Sequence, residues 1–221
     1  MSQSAVDTAR LELFPERNSQ WHSVKPGRGK GDDMHIAPWQ RFIVGENADY
    51  PQQILAAQWA EVTRRMDRLR SDDGDPEHWD VHHWQDINPV HTEALVQLTC
   101  GGPQIIYHGG LLHVRLRYHD AQARRPGLPP DVAALVHDLG PEHVTVTLHN
   151  ISPLNERRLL IQGGAFGEHL LDAAQDSSSG DVWQTHDGYL RVMLPPGRAV
   201  TLRITMRRYA LRPSYAAPAW F

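Results

Sequence analysis

A chain of 221 residues with 40% apolar and 22% charged residues has an ordinary globular composition, long enough for one large domain to bury its core without disulfide or metal staples. The formal charge of −4 leaves no basic footprint for nucleic acid. The single cysteine, Cys100, excludes an internal disulfide and the multi-cysteine zinc motifs, and no apolar run approaches the ~18 residues that span a bilayer.

Met1 is followed by Ser2, Gln3 and Ser4 with no apolar h-region, so no secretory signal is visible and a cytoplasmic location is expected. Nearly all positive charge is arginine, Lys25 and Lys30 being the only lysines. Histidine numbers 14, seven of them between His78 and His119.

Residues 1–50 read as an irregular arm. Pro15, Pro26, Gly27, Gly29, Gly31 and Pro38 punctuate it, Lys25–Asp33 is linker-like, and Phe14, Trp21, Trp39 and Phe42 are aromatic anchors for this domain or a partner. A helix is predicted from Pro51 to Arg70, where proline suits the first turn and Ile54, Leu55, Trp59, Val62, Met66 and Leu69 form an apolar stripe; Trp59 is expected in the core. A second, short helix is predicted from Asn88-Pro89 to a stop at Gly101-Gly102-Pro103.

From Gln104 the period changes to two. Ile105–His108 and Leu111–Tyr118 flank Gly109-Gly110, the signal of a two-residue hairpin, with Leu112, Val114, Leu116 and Tyr118 facing inward. Val132, Leu135, Val136 and Leu139 stand at i, i+3, i+4 and i+7 and predict a helical insertion over Pro130–Leu139. Strands follow around Val144–His149, Arg158–Gln162, Tyr189–Leu194 and Val200–Met206, and Ala173–Gly180 reads as a polar loop. The predicted fold is α+β and β-rich: an antiparallel β-sandwich over residues 104–221, with an N-terminal helical and irregular arm over residues 1–103 packing on the sheet and one helical insertion.

Three segments, VTVTLHNISP (144–153), RRLLIQGG (157–164) and GYLRVMLPPGRAVTLRI (188–204), carry a resemblance. With an Asn-x-Ser-Pro turn after an early strand and a Leu-Pro-Pro-Gly turn before the last, residues 144–206 resemble the C-terminal accessory β-sandwich domains of bacterial glycoside hydrolases and related glycan-active enzymes. The resemblance implies a sandwich associated with carbohydrate-active proteins. The family's catalytic barrel has no counterpart here, so it supplies no catalytic residue.

The residues themselves suggest further chemistry. Gly163-Gly164-Ala165-Phe166-Gly167 is an unusual loop, and the Glu168–His169 pair after it is a candidate for acid–base work; the plain alternative is a bulged strand end where both side chains satisfy backbone groups. His108 and His113 straddle the Gly-Gly turn and, with Glu168 or His169, would make a sheet-borne ligand set of cupin type, although the cupin spacing is missing. His78 and His82 would chelate a metal if helical, but the glutamate of H-E-x-x-H is missing. Cys100, with no base placed beside it, reads as a small buried hydrophobe. Trp79 and Trp84 are the aromatic faces best suited to stacking on a sugar ring.

Three functions stay open. The first is a non-catalytic accessory or binding unit that contacts a carbohydrate ligand or a partner domain. The others are a small His/Glu enzyme, metal-assisted or not, and an interaction module docking through its arm and aromatic C-terminal tail. The sequence fixes neither a metal nor a cofactor, and neither nucleic acid nor membrane is expected as a partner.

Overall fold

The computed structural model describes residues 5, 6, 9, 24, 35–185 and 188–220, so Phe14, Trp21 and the Lys25–Asp33 stretch lie outside the described residues. Helices α1 (Ile36–Ile43), α2 (Tyr50–Arg70), α3 (Val81–Ile87) and α4 (Glu93–Cys100) precede strands β1 (Leu116–Asp120), β2 (Arg125–Pro126), β3 (Val132–Leu139), β4 (His143–Asn150), β5 (Arg157–Gly163), β6 (Leu170–Asp176), β7 (Val182–Gln184), β8 (Tyr189–Leu194) and β9 (Ala199–Arg207). The strands form two antiparallel sheets, ordered β2-β1-β5-β8 and β3-β4-β9-β6-β7. The fold is thus α+β, with the helices upstream of the strands. Within it, β4 pairs with β9, β5 with β8 and β6 with β7. This nested first-with-last pairing is that of a long hairpin rolled into a jelly roll.

Alternation along the strands fills the space between the sheets. Leu159, Ile161, Leu190 and Val192 from one sheet share a core with Val144, Val146, Leu148, Leu202 and Ile204 from the other, and all are fully buried. Trp39, Tyr50, Ile54, Ala94 and Leu98 of the helical layer join the same core. Val114 instead belongs to a small satellite core with Val96 and Ala165.

One end of the sandwich is tied by Asn150. Its side-chain amide donates to the carbonyls of Asn155 (2.8 Å), Leu194 (3.0 Å) and Pro195 (3.1 Å), and its Oδ1 accepts from the Ser152 N–H. The Asn-x-Ser-Pro and Leu-Pro-Pro-Gly turns therefore meet through one fully buried residue.

Helix α2 begins as the sequence predicts, with Pro51 in its first turn, but it buries a different face. Ile54, Glu61 and Arg65 point inward, whereas Trp59 is 75% exposed. Polar residues hold that face because each finds a partner. Arg65 donates to Glu61 and to the Gln85 and Asn88 carbonyls at the end of α3, and Gln58 Oε1 accepts the Ala94 N–H.

Asp80 accepts the His82 and His83 N–H groups and starts α3 at Val81. Asn88 consequently closes α3 rather than opening the next helix, and α4 begins at Glu93 and stops, as predicted, at a left-handed Gly101.

Three strand-region expectations are corrected. No hairpin forms at Gly109-Gly110: residues 106–108 and 110–113 are 3-10 turns, and β1 starts only at Leu116. Gly110 is pressed against the chain before it, with a Cβ position 1.8 Å from the Gln104 carbonyl oxygen, so glycine here serves close approach. The predicted helical insertion is strand β3, whose pairing with β4 shifts by one residue between Val136 and Asp138. That bulge puts Val136 and Leu139, three apart, on the core side and imitates helical spacing. Likewise Ala173–Gly180 is no loop throughout: it holds the end of β6 and the turn into β7.

Two predictions follow from these ties. Asn150→Ala strands several buried partners and is expected to cost about 2 kcal/mol or more in urea unfolding, while Trp59→Ala stays within about 0.5 kcal/mol. The second concerns acid. Burial opposes the Glu61 charge, but hydrogen bonds from Arg64 and Arg65 more than offset it and hold the carboxyl down at about 2. This stabilisation is complete above the ordinary glutamate value of about 4.3 and is lost as pH falls toward 2; Glu61→Gln should flatten the unfolding free energy over that window.

Candidate functional site

The interior is packed with aliphatic side chains, so polar groups collect at the ends and outer faces. At the end opposite Asn150, the chain entering β1, the β3–β4 turn, the β5–β6 connection and the residues after β9 come together. There the Arg115 N–H donates to the Cys100 carbonyl (2.8 Å) and the Gly164 N–H to the Arg115 carbonyl (2.8 Å), fastening α4, β1 and the glycine-rich connection to one another.

The Glu168 carboxylate accepts the Ala165 N–H (3.3 Å) and the Phe166 N–H (2.7 Å). Gly164 has φ +79°, and a Cβ there would lie 2.4 Å from the Glu168 carboxyl carbon, so glycine is required beneath the cap. Glu168 is a buried turn cap. His169, 1% exposed, accepts the Tyr209 N–H at Nδ1 (3.2 Å), which places the proton of the neutral ring on Nε2. No hydrogen bond joins the Glu168 and His169 side chains; both hold backbone groups.

Around His169 lies a basic cluster. Tyr209, with a left-handed φ of 54°, presents its ring edge-on to His169 (4.7 Å between centroids) and beneath the Arg208 guanidinium (5.2 Å). Arg115 is 3% exposed and donates to the Gly140 carbonyl (3.4 Å). Burial, reinforced by Arg208, pulls its guanidinium down to about 10. His113 lines a small cleft together with Trp39, Gln40, Pro103, Arg115 and Leu139.

Other predicted residues lie elsewhere. His108 is in the turn before Gly109, edge-on to Tyr107 (4.8 Å). Trp79 and Trp84 belong to the helical layer: Trp79 stacks on His83 (4.2 Å) and meets Trp84 edge-on (5.4 Å), and Trp84 is 58% exposed. His78 and His82 do not converge, because His78 sits in a 3-10 turn beside Asp75 and His82 lies beside Asp80. Among the described residues no group of three or more His, Cys, Asp or Glu side chains is arranged to hold a metal. Burial pushes the Cys100 thiol up, consistent with an inert packed residue.

The tail lies on the chain's own surface. Leu211 and Ser214 donate to the Glu168 and Phe166 carbonyls, Tyr215 packs on Phe166 (5.1 Å), and Trp220 reaches His119 (6.1 Å). His119 is buried on the outer face of the four-stranded sheet and bonded to Gln162 (2.9 Å).

Sequence reasoning missed Trp39, Arg115, Arg208 and Tyr209 as a group. Arg115 reads there as an outward strand residue, and only folding brings it beside the residues after β9.

A family model described as a domain of unknown function (DUF8034) matches residues 1–96. The match spans the arm, α1–α3 and the first turn of α4, and ends before the sandwich begins. No curated protein matches the chain. No helix among the described residues is long and apolar enough to cross a membrane.

Burial lowers the pKa of His91, His113, His119 and His169. Their unfolded counterparts take protons near pH 6.5 while the folded rings resist. Stability is therefore complete above about pH 6.5 and falls as the solution is acidified below that value. Urea midpoints should drop across that window, less steeply in His169→Gln; a flat profile would contradict the assignment.

Proposed function

We propose that the chain is a non-catalytic accessory unit of carbohydrate-active proteins that contacts its ligand through the exposed aromatic face of the helical layer. The observation that carries this reading is the support beneath Trp84. Asp72 pairs with His83 (2.5 Å), His83 stacks on Trp79, and Trp79 meets Trp84 edge-on. Gly74 lets the preceding loop close over Trp79, since a Cβ there would lie 2.7 Å from the indole nitrogen. An exposed indole held in this way stacks on the apolar face of a sugar ring with little side-chain entropy left to lose.

A non-catalytic role is supported by the use of Glu168 and His169 as backbone anchors. Exposed Leu55, Trp59 and Leu69 flank the buried face of α2 and suit packing against a partner domain.

The test is tryptophan fluorescence titrated with an oligosaccharide panel. A saturable change is expected in the intact chain, with affinity reduced at least about tenfold in Trp84→Ala and weakened in Trp79→Ala. No response across the panel, or an equal response in Trp84→Ala, contradicts the proposal.

A further inference from the structure

The apolar stripe that the sequence places along α2 lies on the outside of the molecule. Leu55, Trp59, Val62, Met66 and Leu69 follow one another at spacings of four, three, four and three. Leu55 is 50% exposed, Trp59 75% and Leu69 40%, with Val62 and Met66 half-buried between them. Ile54, Glu61 and Arg65, on the adjoining face, already hold the helix to its own chain. Exposed apolar residues scattered singly are ordinary, but a continuous row on one helix marks an interaction surface. The alternating spacing is that of a helix–helix seam, here two heptads or about 21 Å long. Beside the seam, Ala56 and Thr63 are small and exposed, so a second helix can approach closely.

Two features select the occupant. Read from either end, the row runs Leu, a large side chain, Val, a large side chain, Leu. It therefore matches itself when a second copy runs the opposite way, the self-complementarity that a two-fold axis requires. The charge on α2 is divided in the same sense: Asp49 stands exposed at its start, and Arg68 and Arg70 occupy its last turn. Antiparallel crossing sets the acidic start of each helix against the basic end of the other and opposes the two macrodipoles, whereas a parallel pair puts like ends side by side. We infer that the exposed face of α2 is the interface of a homodimer in which two copies cross antiparallel along this row. A second copy is then the partner to which the proposed function assigns this surface, and that packing role is the part of the reading on which the dimer rests; sugar contact at Trp84 is independent of it. Five side chains from each copy, with roughly 150 Å² of exposed indole from Trp59, fall below the area of a standard interface, so the dimer is weak and concentration-dependent.

Sedimentation velocity of the intact chain from about 1 to about 500 µM tests the dimer. The weight-average mass is expected to rise with concentration from one chain toward two and to level there. Trp59→Glu should raise the dissociation constant at least about tenfold, and Leu55→Gln should shift it in the same direction, so that either variant reports if the other does not fold. Asp49→Arg and Arg70→Asp should each weaken association, and the two together should restore it, as opposite charges across an antiparallel crossing require. The oligosaccharide titration is run on the same samples. Loss of the sugar response with dimerisation retained counts against the aromatic site alone, and the reverse result counts against the dimer alone. A single-chain mass up to about 500 µM, growth beyond two chains, or association unchanged in both Trp59→Glu and Leu55→Gln overturns the inference. Failure of the double charge swap to restore association overturns the antiparallel crossing.

Discussion

The apolar layer between the two sheets governs everything else in this molecule. Leu159, Ile161, Leu190 and Val192 on one side and Val146, Leu148, Leu202 and Ile204 on the other leave no exposed surface on any of these residues. A jelly roll can enclose a ligand between its sheets, but here aliphatic side chains occupy that space. Polar and charged groups are displaced to the ends of the strands and to the outer faces. The basic cluster lies where β1, β3, β5 and β9 reach one end, and Asn150 fastens the other.

The helical layer is held by a different kind of interaction. Trp39, Tyr50, Ile54 and Leu98 reach the sandwich core, but the helices are fixed to one another by buried polar contacts. Glu93 accepts from the His35 backbone (2.6 Å), the His35 ring (3.0 Å) and Gln97 (3.2 Å), and the Tyr50 hydroxyl donates to Gln97. Burial and the Glu93 charge push the Tyr50 hydroxyl up, so it remains a neutral donor. Such networks demand that every member be satisfied, and in return they fix the geometry of the layer. The position of Trp39 at the cleft depends on that geometry, since α1 starts beside His35.

How much of this was legible in the sequence depended on which physical signal dominated locally. β4, β5, β8 and β9 follow simple alternation, and their expected positions match the fold. β3 was misread because a single bulge turns a period of two into a local spacing of three. The face of α2 was misread because hydropathy cannot foresee that Glu61 and Arg65 will satisfy each other and the end of α3, which leaves Trp59 outside. The Gly109-Gly110 signal misled for a related reason: glycine permits both a tight turn and a close approach, and here close approach to Gln104 decides. The sequence did mark the connection that ends in Glu168 and His169 as unusual. It did not reveal that Arg115, Arg208 and Tyr209 gather beside His169, because Arg115 lies far along the chain from the residues after β9.

The claim on which the account rests is that the two sheets share one interior. Methyl-to-methyl nuclear Overhauser effects in a selectively labelled sample report it most directly. Contacts linking the methyl groups of Leu159, Ile161 and Leu190 with those of Val146, Leu202 and Ile204 are expected. If each set shows contacts only within its own sheet, the layers are not stacked and the account fails.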